Sequence, residues 1–479
     1  MHKNSYDLDR IHRAEYPTDP NQTKFSTEYD GEKLHRTLKT RHLSMIAIGG
    51  AIGTGLFVAS GKSIAEGGPG GALVSYAIVG LMVFFLMTSL GEMAAFIPVS
   101  GSFNTYGSRF VDPAYGFALG WNYWFSWSIT IATELAAGAG IIQYWTDSVP
   151  GIVWSIILLV FMIGFNVLSV KSYAGALGGK VYGVSNLSVG EAPFVNGFLG
   201  VLGVFLVAGF SFQGTELVGV TAGESANPEK DVPKAVKQVF WRILLFYICA
   251  IFVVSMLIPY TDPDLTRGGI TTSPFTLAFQ LSGFSAAPHA MNAVILVTVF
   301  SAGNSGMYGA SRTLWMLANE GKAPRFLKRV DSRGIPIYAL GFTALIACLS
   351  FFTSLFGNSV VFNWLFNAAS ITGLLSWLGI AISHYRFRKA YIAQGRDLKD
   401  LPYRAKLYPF GPIFAFILIL IMIVGQGYGK FTTTPVDWVG LVATYIGVVI
   451  FLIFYVGYKV AKKSKLVPLM ECDFSRSNR

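Results

Sequence analysis

The sequence predicts an all-α polytopic membrane protein, and three observations carry that prediction. Only 13% of the 479 residues are charged, while 53% are hydrophobic; a soluble protein carries about 25% charged residues. The mean hydropathy is +0.51. The apolar residues also fall into runs near the length, about 20 residues, that a bilayer crossing demands. A soluble chain of this length would divide into about three domains, but the charge to solvate three surfaces is missing. Disorder is excluded by the same hydrophobicity.

The elements follow in order. Residues 1–42 are polar and mixed in charge, without the short apolar core of a cleaved signal. They are expected to form a cytoplasmic N-terminal tail. Eleven apolar runs come next, at 43–61, 72–97, 115–144, 152–170, 197–222, 240–260, 289–318, 336–357, 361–383, 410–429 and 436–458. Turn signals separate them, among them Pro69-Gly70, Asp112-Pro113, Asn227-Pro228 and Asp262-Pro263. The stretch 264–288 is amphipathic at best and is expected on a surface. A transmembrane domain over 43–460 and a cytoplasmic C-terminal tail over 461–479 complete the chain.

Charge gives the orientation. Of 37 Lys and Arg residues, 30 lie in 1–42, 224–242, 319–336, 384–409 and 456–479. Retention of basic loops on the cytoplasmic face explains this, so a net charge of +11 needs no nucleic acid. Anionic lipid headgroups are the expected neighbours. The same rule works as a parity test. Arg109 follows the second run and Lys171 the fourth, both inside; yet the fifth run ends at Lys230, Lys234, Lys237 and Arg242, inside again. A single crossing cannot begin and end on one face. The short, Gly-rich segment 171–196 therefore either crosses as a broken or re-entrant piece or stands where a helix has been lost.

Two runs are interrupted. The first holds Gly49, Gly50, Gly53 and Gly55, and the fifth holds Gly209-Phe-Ser-Phe-Gln-Gly-Thr-Glu-Leu-Val-Gly219. Small residues serve close helix packing, but mid-span polar groups beside glycines favour discontinuous helices that bind a ligand at the midplane. With the missing crossing restored, these become helices one and six, the corresponding positions of two inverted five-helix halves. Gly55 to Lys62-Ser63 is one residue too long for a phosphate loop, and no strand precedes it. Cys249, Cys348 and Cys472 have no metal-ligand spacing and form no disulfide framework. No metal or cofactor site is expected. No nucleophile–base constellation argues for an enzyme.

At these residues the chain resembles the amino acid permeases of the amino acid–polyamine–organocation superfamily, and among them the bacterial permeases for lysine. The matching stretches include Arg41-His-Leu-Ser-Met-Ile-Ala-Ile-Gly-Gly50, Gly53-Thr-Gly-Leu-Phe57, Phe117-Ala-Leu-Gly-Trp-Asn-Tyr-Trp124, Phe210-Ser-Phe-Gln-Gly-Thr-Glu216 and Ser301-Ala-Gly-Asn-Ser-Gly-Met307. The resemblance runs from about 33 to 460 and implies a twelve-helix fold with two inverted five-helix repeats. It implies import of a cationic amino acid, most of all L-lysine, with protons, in the cytoplasmic membrane. Arginine, histidine or broad basic uptake is the rival within the class. A non-transporting sensor, or a defective chain lacking a helix, is the rival outside it. Relatives carry a full fifth helix where this chain has 171–196, and Lys180 is the only remnant of a lysine tied there to proton coupling.

The resemblance also assigns roles. Gly53, Thr54 and Gly55 match the stretch that binds the substrate α-carboxylate, which freed N–H groups suit. Phe210, Ser211 and Gln213 lie in the unwound part of helix six, where carbonyls hold the α-ammonium and Phe210 closes over the substrate. Glu216 is a mid-span acid, which defaults to function, and matches a glutamate of proton sensing or substrate binding. Glu134, also mid-membrane, suits a lysyl ammonium, since a buried cation demands a partner. Glu224 is either a gate acid or merely solvated, and for Glu92 a structural role is expected. Ser301, Asn304 and Ser305 either meet helix one or glue helices. His289 and His384 are read as structural.

Overall fold

The computed structural model describes residues 40–99, 101–146, 148–167, 184–266, 273–281, 286–431 and 434–475. All of them fall in the unit Glu32–Arg479; the other unit, Met1–Gly31, lies outside the described residues. Lys180 and the first half of the anomalous segment 171–196, residues 171–183, lie outside them too. The described residues form α-helices and short 3-10 turns, with no strand.

In chain order the helices are α1 (Thr40–Ala51), α2 (Thr54–Phe57), α3 (Ala59–Phe96), α4 (Ser102–Phe110), α5 (Pro113–Ile142), α6 (Gly151–Val167), α7 (Gly197–Phe212), α8 (Leu217–Val220) and α9 (Pro228–Leu257). They continue as α10 (Pro263–Thr266), α11 (Pro274–Leu281), α12 (Ala287–Asn319), α13 (Ile337–Ala347), α14 (Thr353–Phe356), α15 (Asn358–Ala393), α16 (Phe410–Gly425), α17 (Tyr428–Phe431) and α18 (Trp438–Lys462). Among the described residues eight helices are long and apolar enough to cross a membrane, and three shorter apolar ones begin at His42, Gly151 and Phe410. Every apolar run of the sequence coincides with one of these. Large side chains such as Val424, Phe198 and Leu355 are more than 70% exposed, which suits a surface that meets lipid rather than water.

Local chemistry sets the boundaries. Asp112 caps α5 by accepting from Ala114 N at 2.8 Å, with Pro113 at the first helical position. α3 bends at Gly68 (φ +70°), so Ala59–Gly67 continues the first run and Pro69 opens the second. The turn before α7 is stapled to that bend: Gly70 N donates to Pro193 O at 2.8 Å and Val195 N to Gly67 O at 3.2 Å. Asn186 Nδ2 donates to Met256 O at 2.8 Å, holding the same turn to the end of α9.

One expectation is corrected. Residues 273–277, within the stretch expected on a surface, contribute buried Ser273, Pro274, Thr276 and Leu277. The Ser273 hydroxyl donates to Phe57 O, and Phe275 packs edge-on against Phe57 at 5.1 Å. The segment covers the first interrupted helix through Ser273 and Phe275, while the Thr276 hydroxyl donates to Asn292 Oδ1 on α12 at 2.6 Å.

The opposite end is closed by the C-terminal tail. Val467 N donates to Val111 O at 2.8 Å, and Gln394 Nε2 donates to Leu469 O at 3.1 Å and Cys472 O at 2.9 Å. The buried Phe474 ring packs on Phe110, Phe387 and Tyr391, with centroids 5.2–5.4 Å away. Beneath it Arg388 grips the fully buried Glu92 through Nε and through Nη2 at 2.6 Å, while Ala405 N donates to the same carboxylate at 2.7 Å. Glu92 thus joins α3 to α15, the structural role expected of it, and His384 sits buried beside it at 3.4 Å. Truncating Phe474 to Ala is expected to cost about 3 kcal/mol. The check is a lower Tm in detergent together with faster protease cleavage within 463–475.

Candidate functional site

The first helix stops at Ala51 and resumes at Thr54, with the break at Ile52 and Gly53; Ile52 N still donates back to Ile48 O at 3.0 Å and Gly53 O accepts from Phe57 N at 3.2 Å, so each closes the segment on its own side. The second interruption lies between Phe212 and Leu217, where Gln213 turns extended. Glycines at both places carry the sequence signal, and the structure shows what they are for. A Cβ on Gly55 would stand 2.6 Å from the Ser211 Cα, so the two interrupted backbones touch. Gly214 adopts φ +100°, and a Cβ there would lie 2.6 Å from the Gly50 carbonyl carbon. No side chain fits between them.

A tyrosine ties the two breaks together. Tyr247, fully buried on α9, places its hydroxyl 2.7 Å from Ala51 O and 2.6 Å from Ser211 O. Each carbonyl lies at the end of a helix segment and has lost its usual partner. A hydroxyl has a single proton, so one group serves two acceptors.

A cavity opens beside the meeting point. Gly50, Ala51, Gly53 and Gly55 form one wall and Phe210 and Gln213 another, while α5 adds Trp127, Thr130 and Glu134. Glu134 is 2% exposed. Its Oε1 accepts from Thr54 N at 3.4 Å and Thr54 Oγ1 at 3.1 Å, and its Oε2 has no hydrogen-bond partner. Gln213 is anchored to α15 by Nε2 donating to Ser370 O at 3.0 Å. Phe210 packs on Phe366 at 4.3 Å. The arrangement offers an anion-seeking backbone, an acid with a free oxygen and an aromatic wall in one place.

The other expected residues lie elsewhere. The Ser211 side chain turns away from the cavity, bonding Val207 O at 2.8 Å and Tyr76 Oη at 3.0 Å. Glu216 stands behind the second break. Its carboxylate accepts from Gly214 N at 3.0 Å, Trp377 Nε1 at 3.2 Å and Tyr123 Oη at 3.4 Å. It therefore binds the break to α5 and α15 and does not line the cavity. Glu224 is buried rather than solvated. Arg312 Nε reaches it at 2.7 Å and Tyr308 Oη at 2.8 Å, with the guanidinium 3.3 Å over the Tyr308 ring. This pair joins the end of the second interrupted helix to α12. On α12, Ser301 and Ser305 face Gly49, whose Cβ would lie 3.0 and 3.3 Å from their hydroxyls.

Sequence reading missed Tyr247, Trp127 and Thr130. Trp127, Thr130 and Glu134 recur at helical spacing on one face of α5, a signal present once Glu134 is singled out. Tyr247 is the one hydroxyl in residues 243–254, a mid-span polar group of the kind that marked Glu216.

Comparison with known proteins then gives consistent relatives. A family model described as amino acid permease matches residues 42–177 and 178–469. The chain is 51% identical to the lysine-specific permease LysP of Escherichia coli (strain K12), over 95% of this chain and 99% of the relative. It is 49% identical to LysP of Lactococcus lactis subsp. cremoris, over 93% of each chain. The histidine permease HisP of the same bacterium is 45% identical, over 93% of this chain and 98% of the relative.

Replacing Tyr247 by Phe strips both carbonyls of their donor while leaving the ring. The expected loss is about 1–3 kcal/mol, read as a lowered Tm with helical circular dichroism retained. An unchanged Tm would show that the hydroxyl does not hold the breaks.

Proposed function

The chain belongs to the amino acid permease family, and from that premise we propose that it imports basic amino acids, L-lysine first, by alternating access. The observation that carries this reading is Glu134, a buried acid with one unpartnered oxygen on a cavity between two interrupted helices. An uncompensated carboxylate at such a place calls for a cation. Two lysine-specific permeases and a histidine permease among the relatives support a basic substrate.

In this reading the backbone at Gly53, Thr54 and Gly55 takes the substrate α-carboxylate. Carbonyls of the second break take the α-ammonium, Phe210 closes over it, and Glu134 meets the side-chain cation. Uptake is coupled to protons, with Glu216 responding to them. The Glu224–Arg312 pair closes the cytoplasmic side, and Lys180 is what remains of a coupling lysine. The protein works as a transporter, not an enzyme, in the cell membrane with both termini cytoplasmic. Lysine is preferred over arginine and histidine.

We also propose that the chain retains an even number of crossings while lacking one full helix of its relatives. The Escherichia coli alignment spans 484 positions but takes in only 95% of this 479-residue chain. The gaps it opens here exceed the roughly 20 residues of a crossing. The family match divides at 177/178, inside the same stretch. The turn holding Val184–Ser188 is bonded to the end of α9 through Asn186.

The test reconstitutes the full chain in liposomes and follows labelled L-lysine with and without an inward proton gradient. Uptake stimulated by the gradient is expected. Binding without uptake would make the chain a sensor, and neither would make it defective; both overturn the transport reading. Glu216→Gln is expected to fold yet lose uptake, because an amide turns an N–H donor toward the donors of Gly214, Trp377 or Tyr123. Normal uptake by that variant would remove Glu216 from the mechanism.

A further inference from the structure

Resting on the transport reading above, we propose that Glu134 selects substrates by displacement. In the ligand-free protein its carboxylate occupies the place of the substrate's α-carboxylate, and only a substrate that brings a second cation can move it.

The placement is direct. The backbone N–H and the hydroxyl of Thr54 both donate to Oε1, at 3.4 and 3.1 Å. A Cβ on Gly53 would stand 2.7 Å from the same oxygen, so the carboxylate lies against the backbone of the break. These are the donors that an incoming α-carboxylate requires. Oε2 is buried, unpartnered and part of a cavity-lining side chain. No ion pair among the described residues includes Glu134. The acid is therefore satisfied on one side only, and by borrowed donors.

Two carboxylates cannot share that pair of donors, because like charges at contact exclude one another. An amino acid with an apolar side chain would release Glu134 into a buried space with neither donor nor cation, the costly way to leave a charge. An amino acid with a side-chain ammonium replaces what it takes: its carboxylate receives the Thr54 donors and its ammonium receives Glu134. Selectivity then comes chiefly from rejecting neutral amino acids, not from attraction to cationic ones. The balance involves no bond making and no co-reactant, only the exchange of one carboxylate for another.

Rejection and attraction separate in one experiment. L-norleucine is lysine without its terminal ammonium. Equilibrium binding of labelled L-lysine and L-norleucine is measured on the purified full chain and on Glu134→Gln, with Tm as the folding control. The wild type is expected to prefer lysine by about 100-fold or more. In Glu134→Gln, lysine affinity is expected to fall about tenfold while norleucine affinity rises about tenfold, since no charge is left to strand. Norleucine bound no better than by the wild type would overturn the displacement and leave simple attraction. Glu134→Asp keeps the charge and is expected to keep rejecting norleucine, so acceptance by that variant would also overturn it, whether or not Glu134→Gln folds. A wild type that binds no lysine is a different failure, that of the transport reading itself.

Discussion

The structure depends on a contact between two stretches of bare backbone. Gly55 meets Ser211 and Gly214 meets Gly50 with no room for a side chain. Helix interruptions inside a membrane are tolerable only where protein or water satisfies the exposed peptide groups. Here each break helps to satisfy the other's surroundings, and a single tyrosine hydroxyl spans both. The cavity exists because the helices stop, and they can stop because Tyr247 reaches two of the free carbonyls from α9 while Gln213 and Glu216, within the second break, tie it to α15 and α5. The support of the breaks and the walls of the cavity are therefore one set of contacts, so a substitution in the support is felt in the cavity.

The buried acids show how the same side chain takes different work from its partners. Glu92 has a guanidinium and a backbone N–H and is saturated. Glu224 has Arg312 and Tyr308. Glu216 has three neutral donors and no cation. Glu134 has two donors on one oxygen and none on the other. Ordered this way, the acids run from structural pairing to unfinished pairing, and only the last lines the cavity. An unfinished pair in a water-poor place is what a ligand completes.

Much of this was legible in the sequence, and the limits have physical causes. The interruptions were visible because glycine beside polar residues at mid-span contradicts a continuous helix. The structural role of Glu92 was expected, but its partner Arg388 lies nearly 300 residues away and no spacing rule connects them. Ser211 is expected to act through its carbonyl, and the sequence does not tell where its side chain goes: a side chain on a helix points where its rotamer and contacts send it, here to Tyr76. Glu216 is legible as a mid-span acid; that it faces the back of the break and not the cavity depends on Trp377 and Tyr123, which only the packing brings together. Residues 273–277 defeat the surface expectation because weak amphipathicity also describes a segment whose buried hydroxyls find partners on other helices, Ser273 on Phe57 O and Thr276 on Asn292.

The anomalous stretch between α6 and α7 bears on whether such a site can persist without a full complement of helices. The groups that hold the two breaks come from α5, α9 and α15, and the turn before α7 is bonded independently to the bend of α3 and the end of α9. The supports of the cavity are thus distributed over helices that sequence and structure both contain. If a crossing is missing, as proposed, the contacts named here remain in place. Binding then depends on contacts still present, while alternation between inward and outward states depends on how the repeats rock against each other. The two properties are separable, which is why uptake and binding, measured side by side, weigh the loss in a way that neither does alone.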